Sequence, residues 1–98
     1  MKIVVLPSAL DHLSDGFYFY EQQRDGLGHY FIESLYSDID SLQLYAGIHI
    51  KSLGYHRLLS KRFPYAIYYR LEQDTIQIWA VLDGRQDPVA IRRRLREL

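Results

Sequence analysis

Apolar and polar positions alternate in two distinct rhythms along this chain, and the change of rhythm divides it in half. Lys2 to Leu6 is a short β-rich run that predicts a strand, and Pro7 breaks it. Ser8 then stands where a helix cap is expected, its hydroxyl able to accept from a free N–H of the first turn. Leu10, Leu13, Phe17 and Tyr20 follow at helical spacing and predict one apolar stripe. Gly16 inside that stripe costs about 1 kcal/mol relative to alanine, which close approach of a second helix would explain. The first helix is expected to end near Asp25-Gly26, with Gly26 as a left-handed cap. A second helix is predicted from about His29 to Tyr45, with Phe31, Leu35, Ile39 and Leu42 on its apolar face. The short loop between them makes the pair an antiparallel helical hairpin.

Beyond Gly54 the period drops to two. Tyr55 to Ser60 and Tyr65 to Leu71 read as strands, with Pro64 fixing entry to the second. Glu72-Gln73-Asp74 is a hairpin turn. Thr75 to Leu82 alternates, with Ile76, Ile78, Ala80 and Leu82 on one face and Gln77, Trp79 and Val81 on the other. Pro88 suits the first turn of a last helix, Val89 to Glu97. The order predicts an α+β fold: an antiparallel sheet with the helical hairpin on one face and Lys2–Leu6 at its edge. The last helix would cover the second face only in part, leaving a basic, half-open surface for a partner.

Composition narrows the class. The chain has 98 residues and is read as a single domain over 1–98, with 48% hydrophobic residues to build a core. It has no cysteine, which excludes disulfides and thiolate metal sites and fits a reducing cytoplasm. No apolar run approaches the roughly 20 residues that span a bilayer. The N-terminal MKIVVLPSALDHL is too briefly apolar and too soon acidic for a signal peptide, so no membrane role is expected. The zero net charge conceals a dipole. Residues 1–50 carry two bases against seven acids, and residues 51–98 carry ten bases against five acids. The halves are therefore −5 and +5 and cancel. Such segregation points to an acidic or polyanionic partner for the basic half, against the plainer reading that acids decorate helices and arginines a tail.

The run from His56 to Pro88 carries the most specific signal. Arg62-Phe63-Pro64-Tyr65 and Gly84-Arg85-Gln86-Asp87-Pro88 stand about one hairpin apart. With Ser8-Ala9-Leu10-Asp11-His12-Leu13, Tyr20-Glu21, Gly26-Leu27-Gly28, His56-Arg57, Tyr68-Tyr69 and Trp79-Ala80-Val81-Leu82, they occur in the order and spacing of the RelE/ParE toxins. These are the toxic partners of bacterial type II toxin–antitoxin systems. The chain resembles the ParE branch more closely. Asp83 stands where the family often has His, Gln86 where a second base is common, and the tail VAIRRRLREL lacks the Tyr or His of ribosome-dependent nucleases.

The resemblance implies inhibition of DNA gyrase by contact, and neutralisation by a cognate antitoxin in a hetero-oligomer. It implies target binding by Arg57, Asp83 and Arg85, since guanidinium groups clamp phosphates or carboxylates. Tyr55, Tyr65, Tyr68 and Trp79 are the expected antitoxin anchors, because such side chains dominate interfaces. The alternative is an mRNA endonuclease acting on the ribosome, with His56, Arg57 and Arg85 promoting attack on a phosphate. A non-toxic relative is a third reading. No metal site or cofactor is expected: His12, His29, His49 and His56 lack ligand spacing, and Gly26-Leu27-Gly28 is not a dinucleotide fingerprint.

Overall fold

The computed structural model describes residues 1–98. Strand β1 (Lys2–Val5) leads into α1 (Pro7–Gln23), α2 (Leu27–Asp40) and the single turn α3 (Leu42–Tyr45). Then come β2 (Lys51–Ser52), β3 (Tyr55–Leu59), β4 (Tyr65–Glu72), β5 (Thr75–Asp83) and α4 (Pro88–Arg96). The α+β fold and the helical hairpin are as the pattern predicts. The sheet order is β1-β5-β4-β3-β2. One correction is to its sense: β1 runs parallel to β5, from Lys2 opposite Thr75 to Val5 opposite Ile78, so the sheet is mixed. A parallel neighbour needs a long crossover, and everything from α1 to β4 supplies it.

The helices depart from expectation locally. Leu6 is the N-cap of α1 without a side-chain bond, and Pro7 opens the helix with its fixed φ. Ser8 does not cap; its hydroxyl donates to the Trp79 carbonyl. The buried stripe of α1 is Ala9, Leu13, Gly16 and Tyr20, whereas Leu10 is exposed. The stripe holds a glycine at position 16 because α2 packs so closely there. A Cβ on Gly16 would stand 2.5 Å from the Phe31 ring, and one on Gly28 would stand 2.6 Å from the Phe17 carbonyl oxygen. Gly26, at φ +88°, turns the corner as the N-cap of α2, while α1 itself closes earlier. The Glu21 carboxylate accepts from the amides of Gly26 and Gly28 (3.0 and 2.9 Å), which holds its pKa below the usual range. The predicted second helix divides at Ser41, whose hydroxyl donates back to the Asp38 carbonyl (2.6 Å), a bond that bends helices.

The sheet buries both faces, unequally. Toward α1 and α2, thirteen residues form one core, including Phe31, Leu35, Ile39, Tyr65, Ile67, Tyr69, Ile76 and Ile78. Toward α4, a core of six joins Tyr55, Ala66, Tyr68, Ala80, Leu82 and Leu95. The unbroken alternation expected for Thr75 to Leu82 fails at Trp79. Tyr68 pairs with Ala80 and Tyr69 with Ile78, so Trp79 is the extra residue of a bulge. Ile76 and Ile78 face the helical hairpin, and so does Val81; Ala80 and Leu82 face α4.

Candidate functional site

The α4 face of the sheet carries Arg57 and Arg70, and α4 itself brings Arg92 to its rim. Alternation sends Tyr55, Arg57 and Leu59 of β3 to this face, and the Arg57–Tyr68 pairing continues it onto β4. Asp87 caps α4, accepting from the Val89 amide (2.9 Å), and Ile91 and Leu95 turn inward. The helix covers one end of the face. Between it and the sheet lies a cavity of about 230 Å³, floored by Tyr68, Ile91 and Leu95 and rimmed by Arg57 and Arg92. Beyond the helix, Arg70 lies 4.1 Å from the Tyr55 ring and 5.1 Å from that of Trp79. This stacking holds a guanidinium rigidly without a carboxylate. Trp79 in turn donates its indole N–H to Gln77 (3.2 Å).

The only ion pair in the protein is Arg85–Asp83. Arg57, Arg70 and Arg92 thus make no ion pair. An apolar floor ringed by unpaired guanidinium groups suits an amphipathic anionic segment, for which Arg supplies bidentate bonds.

Arg85 and Asp83 form a separate, rigid element at the exit of β5. The guanidinium donates to both Asp83 oxygens (3.0 and 2.7 Å), and the Arg85 amide donates to one of them (2.9 Å). Those bonds hold the Asp83 carboxyl below its ordinary pKa and raise that of Arg85. The Gly84 amide donates to the Pro64 carbonyl (2.7 Å), fastening this loop to the β3–β4 connection. Beneath it Tyr20, Phe31, Phe63 and Tyr65 form an aromatic cluster, with Tyr20–Phe63 centroids 4.8 Å apart and Phe31–Tyr65 4.9 Å apart. Burial, with Tyr20 and Asp83 close by, pushes the Tyr65 phenol up to about 12.

The sequence-predicted residues therefore fall into groups. Arg57 and Arg85 line different cavities, which meet only at Gly84. His56 points to the opposite face from Arg57. Its Nδ1 donates to the His49 carbonyl (2.8 Å) and its ring stacks on Tyr69, with centroids 5.0 Å apart. Of the four aromatic residues, Tyr55, Tyr65 and Tyr68 are core residues and Trp79 is half-buried. Tyr65 lies on the helical-hairpin side, the other three on the α4 side. Arg70 and Arg92 were not singled out from the sequence. The signal for Arg92 was available: Ile91 and Leu95 stand at i, i+4 in the tail, which places Arg92 beside the buried stripe.

No family model matches the chain, and no curated protein matches it. Among solved structures it is similar to a chain of the chromosomal ParDE TA system from P. aeruginosa, with a TM-score of 0.72 and 20% sequence identity. The match covers 83% of this chain and 92% of that one. The overall fold is thus shared with that ParDE chain.

Proposed function

We propose that this protein is the toxin of a type II toxin–antitoxin system, of the ParE kind, and that it acts on DNA gyrase by contact rather than by chemistry. The observation that carries the proposal is the shared fold over 92% of the ParDE chain, together with the ordered motifs from Ser8 to Pro88. Fold alone does not fix function, so the site must add to it. Here the site offers binding groups: an apolar cleft with Arg57 and Arg92 at its rim, and a presented Arg85. It supports contact over RNA cleavage, because His56 and Arg57 lie on opposite faces and no cavity collects both with Arg85. A general base must come within hydrogen-bond reach of its proton.

In this reading a cognate antitoxin lays an amphipathic, acidic segment on the α4 face, the occupied toxin is silent, and both act in the cytoplasm. Induced expression without antitoxin, with separate readouts of the DNA-damage response and of translation, tests the target. The expected result is filamentation with accumulated cleaved DNA while translation continues. Rapid loss of translation, with mRNA cut on the ribosome and intact DNA, would replace this reading with the endonuclease.

A further inference from the structure

Strand β5 is nine residues long, but β1 pairs only with Thr75 to Ile78. From Trp79 onward one edge of β5 has no strand beside it. Two side chains of α1 stand in for one. The Ser8 hydroxyl donates to the Trp79 carbonyl (2.5 Å), and the Val81 amide donates to His12 Nδ1 (3.1 Å). Ser8 and His12 are four residues apart, so they share one side of the helix. They meet a carbonyl and an amide as the backbone of a neighbouring strand would.

An amide can only donate. His12 Nδ1 must therefore carry a lone pair, and the ring must be neutral with its proton on Nε2. Two residues after Val81 the chain reaches Asp83, and Gly84 and Arg85 follow. We propose that the Ser8–His12 pair is a titratable strand substitute: neutral His12 fixes the end of β5 and so positions the Asp83–Arg85 loop, and protonation of His12 releases it. The coupling of His12 to the loop stands on its own; its bearing on toxicity rests on the function proposed above.

The surroundings favour the neutral ring at rest. His12 lines a cavity of about 290 Å³ between α1, α4 and the end of β5, together with Asp15, Tyr65, Asp83, Gln86 and Arg94. Burial and the positive charge of Arg94 on α4 disfavour the imidazolium, while Asp15 and Asp11 on α1 oppose them more weakly. The folded pKa lies below the unfolded 6.5. The unfolded chain therefore binds the proton more readily. The contribution of His12 to stability is complete above 6.5 and is lost as the pH falls below that value toward the folded pKa.

Nuclear magnetic resonance on the labelled full chain tests the coupling. The imidazole of His12 and the amides of Val81, Gly84 and Arg85 are followed from about pH 7.5 to about pH 5, the range in which histidines titrate. In the wild type all should move with one midpoint below 6.5. His12→Asn places an amide oxygen where Nδ1 stands and cannot titrate. It should keep the neutral-pH positions of the three amides and flatten their pH response. His12→Leu, which removes the acceptor, should displace them at every pH. Titration of His12 while the amides stay still, or an Asn variant that titrates like the wild type, would overturn the proposal. Growth after induction separates the two readings. If the amides respond as stated but Arg85→Ala stays fully toxic, the functional role of the loop fails and the coupling survives.

Discussion

The two faces of the sheet are built from the same strands but in different chemistry. The face under α1 and α2 is a close-packed core of thirteen residues, with Phe31, Leu35, Tyr69, Ile67, Ile76 and Ile78 almost wholly shielded. Its helices touch so closely that two glycines are needed at the contact. The face under α4 has a core of six, one short helix and three arginines without acidic partners. The first face consumes its surface to stabilise the fold. The second keeps polar, cationic surface that contributes little to stability, which is where binding groups are found when a scaffold is otherwise rigid. The contrast teaches that the stability and the proposed function of this protein are divided between faces, and substitutions should separate them.

The largest expected effect is on the first face. Phe31→Ala, at a fully buried position against Gly16, should cost about 3–5 kcal/mol and lower the denaturant midpoint without a change in slope. On the second face, Leu95→Ala removes the main anchor of α4 and should cost about 2–3 kcal/mol, the low end of the range for such truncations, because so short a helix collapses readily onto the space. Hydrogen exchange should then show lost protection in α4 with the helical hairpin intact. Equal loss of protection in α1 and α2 would show that the faces are not energetically separate.

Smaller effects concern the charged groups. Arg85→Ala should weaken growth arrest while the unfolding midpoint stays nearly unchanged, as is usual for exposed positions. Arg62→Ala, an exposed residue of the β3–β4 connection, is the control and should alter neither. Unfolding of Arg85→Ala would make the Asp83 pair structural; a folded, fully toxic variant would remove Arg85 from the site. Asp83 has a folded pKa lowered beneath 3.8, so its contribution is present above 3.8 and disappears as the pH falls through the folded value. Asp83 is half-buried, but its Arg85 partner is largely open to solvent, so screening keeps the contribution small. Asp83→Asn should therefore flatten only the most acidic part of the stability profile measured by thermal unfolding.

Local pattern made much of this legible. The Phe31, Leu35 and Ile39 face, the Gly16 contact, Pro88 at the start of α4 and the opposition of Tyr68 to Tyr69 all follow from spacing and sterics within a few residues. What was missed depends on residues far apart in the chain. The bulge at Trp79 reverses the faces of Ala80 and Leu82, and nothing in the alternation of β5 itself marks it. Ser8 reads as a cap until the Trp79 carbonyl, 71 positions away, is placed beside it. The parallel sense of β1 is likewise a property of the assembled sheet. At the site, Arg57 and Arg85 were legible as single residues, but their separation was not. Arg70 needed the rings of Tyr55 and Trp79 to acquire a role.

The most direct measurement is growth after induction of the wild type and of the double variant Arg57→Ala with Arg92→Ala, at matched abundance and with folding checked by thermal unfolding. Both arginines rim the α4 cavity and neither has an acidic partner. The expected result is that wild-type cells filament and accumulate cleaved DNA, while cells making the equally folded double variant divide normally. A folded double variant that arrests growth as fully as the wild type would contradict the assignment of function to the α4 face.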